Sequence, residues 1–183
     1  KSWPFRIDVK IKKNVIDPEY IINNYGADSV RLFILSDSPP EKDVQWSDQG
    51  MVSSFKFIQK LWILNQKILD EIQKKHLNDV DSEFEKVTNI FIKNVTDNLS
   101  KFTYNKIIAN FYEIYSSLSK LIKKKYSSKT IVQNYRKILI CMMPVIPHFS
   151  NECLELLKDE REIKWPKIDE KFLIEENVNF VVQ

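Results

Sequence analysis

A chain of 183 residues, 43% hydrophobic and 29% charged, is long enough to bury one core of ordinary size with room for a small appendage. Only two glycines are present, so the tight-turn chemistry of an all-β fold or a Rossmann-type α/β layout is scarce and helix is the expected state. The formal net charge is +3, and there is neither an 18-residue apolar run nor a basic, apolar leader ending in small residues; membrane insertion and secretion are unsupported and a cytoplasmic location is expected.

The chain opens on Lys1, has no methionine before Met51 and reads as a piece of a longer protein. Asp17-Pro18 predicts a helix start, with a capping carboxylate ahead of a proline at the first helical position, and Gly26 predicts its stop, giving a short helix over 18–25. A second helix is expected from Asp28 to about Ser36, before Pro39-Pro40. Residues 37–46 read as a connector. Ser47-Asp48 caps a long helix reaching about Lys75, with Phe55, Ile58, Trp62, Leu69 and Ile72 beside a line of Phe57, Leu61, Leu64 and Ile68.

Three amphipathic helices follow near 82–100, 104–125 and 129–143, the middle one repeating Ile107, Phe111, Ile114, Leu118 and Leu121 at spacings of four and three. Pro144 and Pro147 precede a last helix over about 148–158. Trp165-Pro166 opens an irregular tail, and Asn177 to Gln183 alternates like an unfinished strand. The expected fold class is mainly α: an antiparallel helix bundle over 47–165, preceded by connecting helices within 1–46 and followed by 166–183, which ends in a short β strand.

Cys141 and Cys153 lie in apolar stretches and, with only His76 and His148 beside them, form no ligand set at zinc spacing, so they are expected to be buried reduced thiols and no metal site is expected. From Ile114 through Asn151 there is no acidic residue, while Lys120, Lys123, Lys124, Lys125, Lys129, Arg136 and Lys137 all occur. That stretch reads as a phosphate-facing surface. Equally, Lys123 to Lys125 read as cations that complement the dipole at a helix end.

Lys12-Lys13-Asn14-Val15-Ile16-Asp17-Pro18-Glu19, followed by Tyr25-Gly26-Ala27-Asp28-Ser29-Val30-Arg31-Leu32-Phe33, resembles the segment after the KMSKS loop of class I aminoacyl-tRNA synthetases. Ser38-Pro39-Pro40-Glu41-Lys42-Asp43-Val44-Gln45-Trp46-Ser47-Asp48-Gln49-Gly50 resembles the leucine enzymes of that class. Phe57-Ile58-Gln59-Lys60-Leu61-Trp62 is similar to their first bundle helix, and Pro144-Val145-Ile146-Pro147-His148-Phe149 with Trp165-Pro166 to the bundle's close.

The resemblance implies that 1–46 is the tail of a catalytic domain, 47–165 an anticodon-binding-type bundle, and 166–183 a linker into a further domain. The KMSKS loop would fall on residues 7–11, where only its second lysine, Lys10, survives; by resemblance this lysine meets the ATP phosphates. The parent implied is a leucine–tRNA ligase that uses ATP with Mg2+ to activate leucine and transfer it to tRNA(Leu). It is expected to be monomeric. The piece alone lacks a HIGH-type motif, so it is expected to be inactive and to bind no cofactor by itself.

The resemblance also assigns Lys56 and Lys60, four apart on one helix face, to tRNA, for which the bland reading is a solvated helix flank; Lys123, Lys124 and Lys125 join them as expected tRNA contacts on the strength of the acid-free basic stretch alone. Asp28 and Arg31 read as a capping or ion-pair element, His148 as packing, and Trp46, Trp62 and Trp165 as core or seam residues. A stand-alone RNA-binding or scaffold protein built on such a bundle, or a valine, isoleucine or methionine enzyme, remains open.

Overall fold

Asp17 accepts the N–H of Glu19 at 3.0 Å and Pro18 takes the first helical position, so α1 (Pro18–Tyr25) begins where capping chemistry places it. Gly26, at φ 79°, turns the chain through a conformation open to glycine and lets α2 (Ala27–Asp37) start at once. The computed structural model describes residues 16–37, 42, 44–77 and 79–173. Lys10 and the expected terminal strand over 177–183 lie outside the described residues, among which there is no strand.

Ser47 caps α3 (Asp48–Gln73) by accepting the N–H of Gly50 at 3.1 Å. Then come α4 (Glu83–Ser100), α5 (Tyr104–Leu121), α6 (Ser128–Met142), α7 (Pro147–Leu156) and a 3₁₀ turn, Glu170–Phe172. Only residues 101–103 join α4 to α5, which fold back on each other as an αα-hairpin; α4 also lies on α6, and α3 packs against α5 and α6. Phe84, Ile92, Val95, Ile107, Phe111 and Ile138 have no exposed surface and fill the centre of this body. Among the described residues, no helix is long and apolar enough to cross a membrane.

A second, smaller cluster of Ile21, Phe33 and Met51 seats α1 and α2 on the start of α3. Phe33 meets Trp46 edge to face at 5.1 Å and lies where a side chain on Gly50 would have to stand. Directional bonds fasten the other end of α2. Asp28, nearly fully buried, accepts the N–H groups of His148 at 3.3 Å and Phe149 at 2.6 Å, capping α7 from a different helix. One turn on, Arg31 donates to the carbonyls of Val145 and Pro144, both at 2.8 Å.

The structure shortens α5, which ends at Leu121 rather than near 125. The chain leaves the helix because Tyr126 turns inward to 1% exposure, edge to face with Phe84, and Lys124 reaches across to Asp81 and Glu83. Likewise α7 ends at Leu156, with Lys158 at φ 53°.

Candidate nucleic-acid interface

Lys60 and Lys67 of α3 and Lys74, its C-cap residue, recur every seven residues, about two turns and about 10.5 Å of rise apart, and so share one face. That face borders the core line of Leu61, Leu64 and Ile68, and α5 presents Tyr115 and Ser119 opposite it. The groove between them has a volume of about 710 Å³, and Lys123, Lys124 and Lys125 also line it. Lys60 and the 123–125 triplet, which stand more than sixty positions apart in the sequence, are thus brought to one groove.

The cations are not equivalent. Lys124 pairs with Asp81 at 2.9 Å and with Glu83, and the hydrogen bonds it donates to Glu83 and then Asp81 raise its pKa. It is an anchor that fixes the loop, leaving Lys123 and Lys125 on either side. Lys74 pairs with Glu71 at 2.6 Å, the acid inside the groove. Among the described residues, Lys60, Lys67, Lys123 and Lys125 line the groove without an ion-pair partner. Lys56 is exposed and sits on the same stripe one turn toward the start of α3, beyond the groove's lining.

Carboxylates ahead of α4 hold the segment that follows Lys123. Asp79 accepts the Ser127 N–H at 2.6 Å and the Thr130 hydroxyl at 2.8 Å; burial alone would raise its pKa, but these bonds together with the Ser127 hydroxyl lower it. Asp81 accepts the Tyr126 hydroxyl and pairs with Lys124, which hold its carboxyl down at about 2. Ser128 donates its hydroxyl to Ile72 at 2.7 Å and its N–H to the His76 carbonyl at 3.2 Å. The chain after α3 is therefore stitched to the chain entering α6.

The acid-free stretch does not form a single basic surface. Arg136 is buried, 3.4 Å from Asp159, and donates to the carbonyls of Arg161 and Glu162 at 2.6 and 3.0 Å; it ties down the segment after α7. Lys67 and Lys74 lie in no dense basic run; their heptad spacing from Lys60 shows a shared helix face, and only the facing α5 shows that this face borders a groove. Trp62 and Trp165 are exposed and not in the core, Trp165 donating to Thr96 at 3.0 Å, and the His148 side chain, expected to pack, is exposed and meets Asp28 at 2.9 Å. Cys141 and Cys153 are buried free thiols, and burial pushes both up to about 12. Among the described residues no group of three or more His, Cys, Asp or Glu could hold a metal ion.

A lysine-lined groove on a helical bundle fits an anionic polymer, and comparison with known proteins points the same way. Residues 8–47 match the family model described as tRNA synthetases class I (I, L, M and V). The chain is similar to the leucine–tRNA ligase of Orientia tsutsugamushi (strain Boryong), 39% identical over 91% of this chain and 20% of that protein. It is similar also to that of Ehrlichia chaffeensis (strain ATCC CRL-10679 / Arkansas), 32% identical over 95% of this chain and 22% of that protein. It spans about a fifth of the length of the curated relatives it matches. Its fold is that of part of a LeuRS from Agrobacterium radiobacter K84, solved in a ternary complex with tRNA and LeuAMS: TM-score 0.77, 22% identity, 90% of this chain and 22% of that one. Residues 81–183, more than half of the chain, match the family model described as anticodon-binding domain of tRNA ligase, and the chain belongs to that family.

Proposed function

We propose that this chain is the tRNA-facing helical module of a leucine–tRNA ligase whose whole length activates leucine with ATP and attaches it to tRNA(Leu). The observation that carries the reading is the convergence of Lys60, Lys67, Lys123 and Lys125 on one groove, none of them paired among the described residues. Four mobile ammonium groups bind a phosphate backbone by charge and so orient the tRNA without reading its bases. Lys56 extends the stripe. Lys124 contributes by fixing the loop that carries its neighbours.

Under the same reading Lys10 meets the ATP phosphates, residues 1–46 close the catalytic domain, 47–165 form the bundle and 166–183 lead into a further domain. On this reading the parent uses ATP together with Mg2+. The parent acts in the cytoplasm as a monomer. The names of the relatives support leucine as the amino acid.

The test is amino-acid-dependent exchange of pyrophosphate into ATP by the full-length parent. Exchange with leucine, and not with valine, isoleucine or methionine, is the expected result. Exchange with one of the other three would reassign the substrate, and none with any would favour a stand-alone RNA-binding scaffold.

A further inference from the structure

We infer that Asp28 and Arg31 are positioning residues that set the angle at which the bundle, and any tRNA lying on it, meets the catalytic domain. The inference rests on the function proposed above. Both side chains come from α2, within the segment matching the class I synthetase model, and all their partners lie in the segment matching the anticodon-binding model.

The two kinds of contact at this joint do different things. Leu32 and Leu35 of α2 pack into the apolar core, and Phe33 seats the helix near the start of α3. Apolar burial is strong but non-directional, so it holds α2 on the bundle without fixing its rotation. Hydrogen bonds weaken steeply off axis and do fix it. Asp28 takes two N–H groups at the start of α7 and meets the His148 ring at 2.9 Å, while the Arg31 guanidinium spans two successive carbonyls in the α6–α7 turn. A carboxylate at one helix start and a fork on the preceding turn grip the same corner from two sides.

The consequence falls on transfer to tRNA rather than on leucine activation. Activation needs only small substrates in the catalytic domain, whereas transfer needs the tRNA end delivered there by a body held at the groove. A misplacement of about 1 Å at a reacting centre costs on the order of 100-fold.

The experiment uses the full-length parent with Asp28→Asn or Arg31→Lys. Asparagine keeps the shape but loses one acceptor and the charge; lysine keeps the charge but cannot span both carbonyls. Leucine-dependent pyrophosphate exchange without tRNA and aminoacylation of tRNA are measured side by side. The expected result is unchanged exchange with aminoacylation reduced roughly 10–100-fold. A merely structural role lowers both activities together, in step with the folded fraction, and that result would overturn the inference, as would unchanged aminoacylation. If Asp28→Asn does not fold, Arg31→Lys decides by the same two readouts. Absence of leucine-dependent exchange in the unmodified parent would remove the proposed function, and this inference with it.

Discussion

The Tyr126 hydroxyl donates to Asp81, tying the loop after α5 to the segment ahead of α4 and holding the Asp81 carboxyl at about 2. Because the folded pKa is depressed, the carboxylate's contribution to stability is present above the unfolded value of about 3.9 and is lost as pH falls through about 2. Tyr126→Phe removes the largest cause of the depression. The Asp81 midpoint should then rise toward the ordinary carboxylate range, read by carboxyl carbon NMR, and acid unfolding should begin at higher pH. An unmoved midpoint would show that the hydroxyl does not hold the carboxylate.

Gly50 lies under the Phe33 ring, whose Cε2 would stand 2.7 Å from an added Cβ. Alanine gains about 1 kcal/mol of helix propensity. Phe33 is buried and packed on Trp46, however, and the overpacking cost of about 1–3 kcal/mol wins. Gly50→Ala should therefore lower the unfolding free energy in urea; an increase would mean the ring moves aside freely.

Arg136 fastens the segment after α7 through Asp159 and two carbonyls. Arg136→Met keeps the buried stem but strands these acceptors, at a cost of about 1–3 kcal/mol. Hydrogen exchange over 159–169 should quicken while α4 and α5 stay protected. Equal protection in both proteins would count against the tie.

The helix starts were legible because capping is local: Asp17-Pro18 and Ser47 announce α1 and α3 within a few residues. The end of α5 was not, since it depends on Asp81 and Glu83 lying opposite Lys124, a contact some forty positions away. For the same reason Lys124 and Arg136 looked like free surface cations, and Asp28 and Arg31 gave no sign that their partners lay beyond position 143. Lys60 drew notice through the family resemblance, and the structure places it in the groove lining. Lys67 and Lys74 needed the facing helix to show that their stripe borders a groove.

The 183-residue chain by itself should show no leucine-dependent pyrophosphate exchange. The proposed function gives this stretch one lysine, Lys10, for the ATP phosphates, and one lysine cannot align leucine with ATP. Incorporation of labelled pyrophosphate into ATP above a no-enzyme control would contradict this.

The groove reading meets its most direct test in the salt dependence of tRNA binding. Lys60, Lys67, Lys123 and Lys125 are exposed, so changing all four to alanine should leave the fold intact, each surface change altering stability by less than about 0.5 kcal/mol. Binding of the chain to tRNA is titrated across salt concentrations for the unmodified chain, the fourfold variant and a control with Lys93→Ala and Lys164→Ala on α4 and the segment after α7. The plot of log affinity against log salt should become shallower by roughly 0.7–0.9 for each groove lysine that contacts a phosphate. The control should keep the original slope; a fourfold variant with unchanged affinity and slope would contradict the assignment of the groove to tRNA.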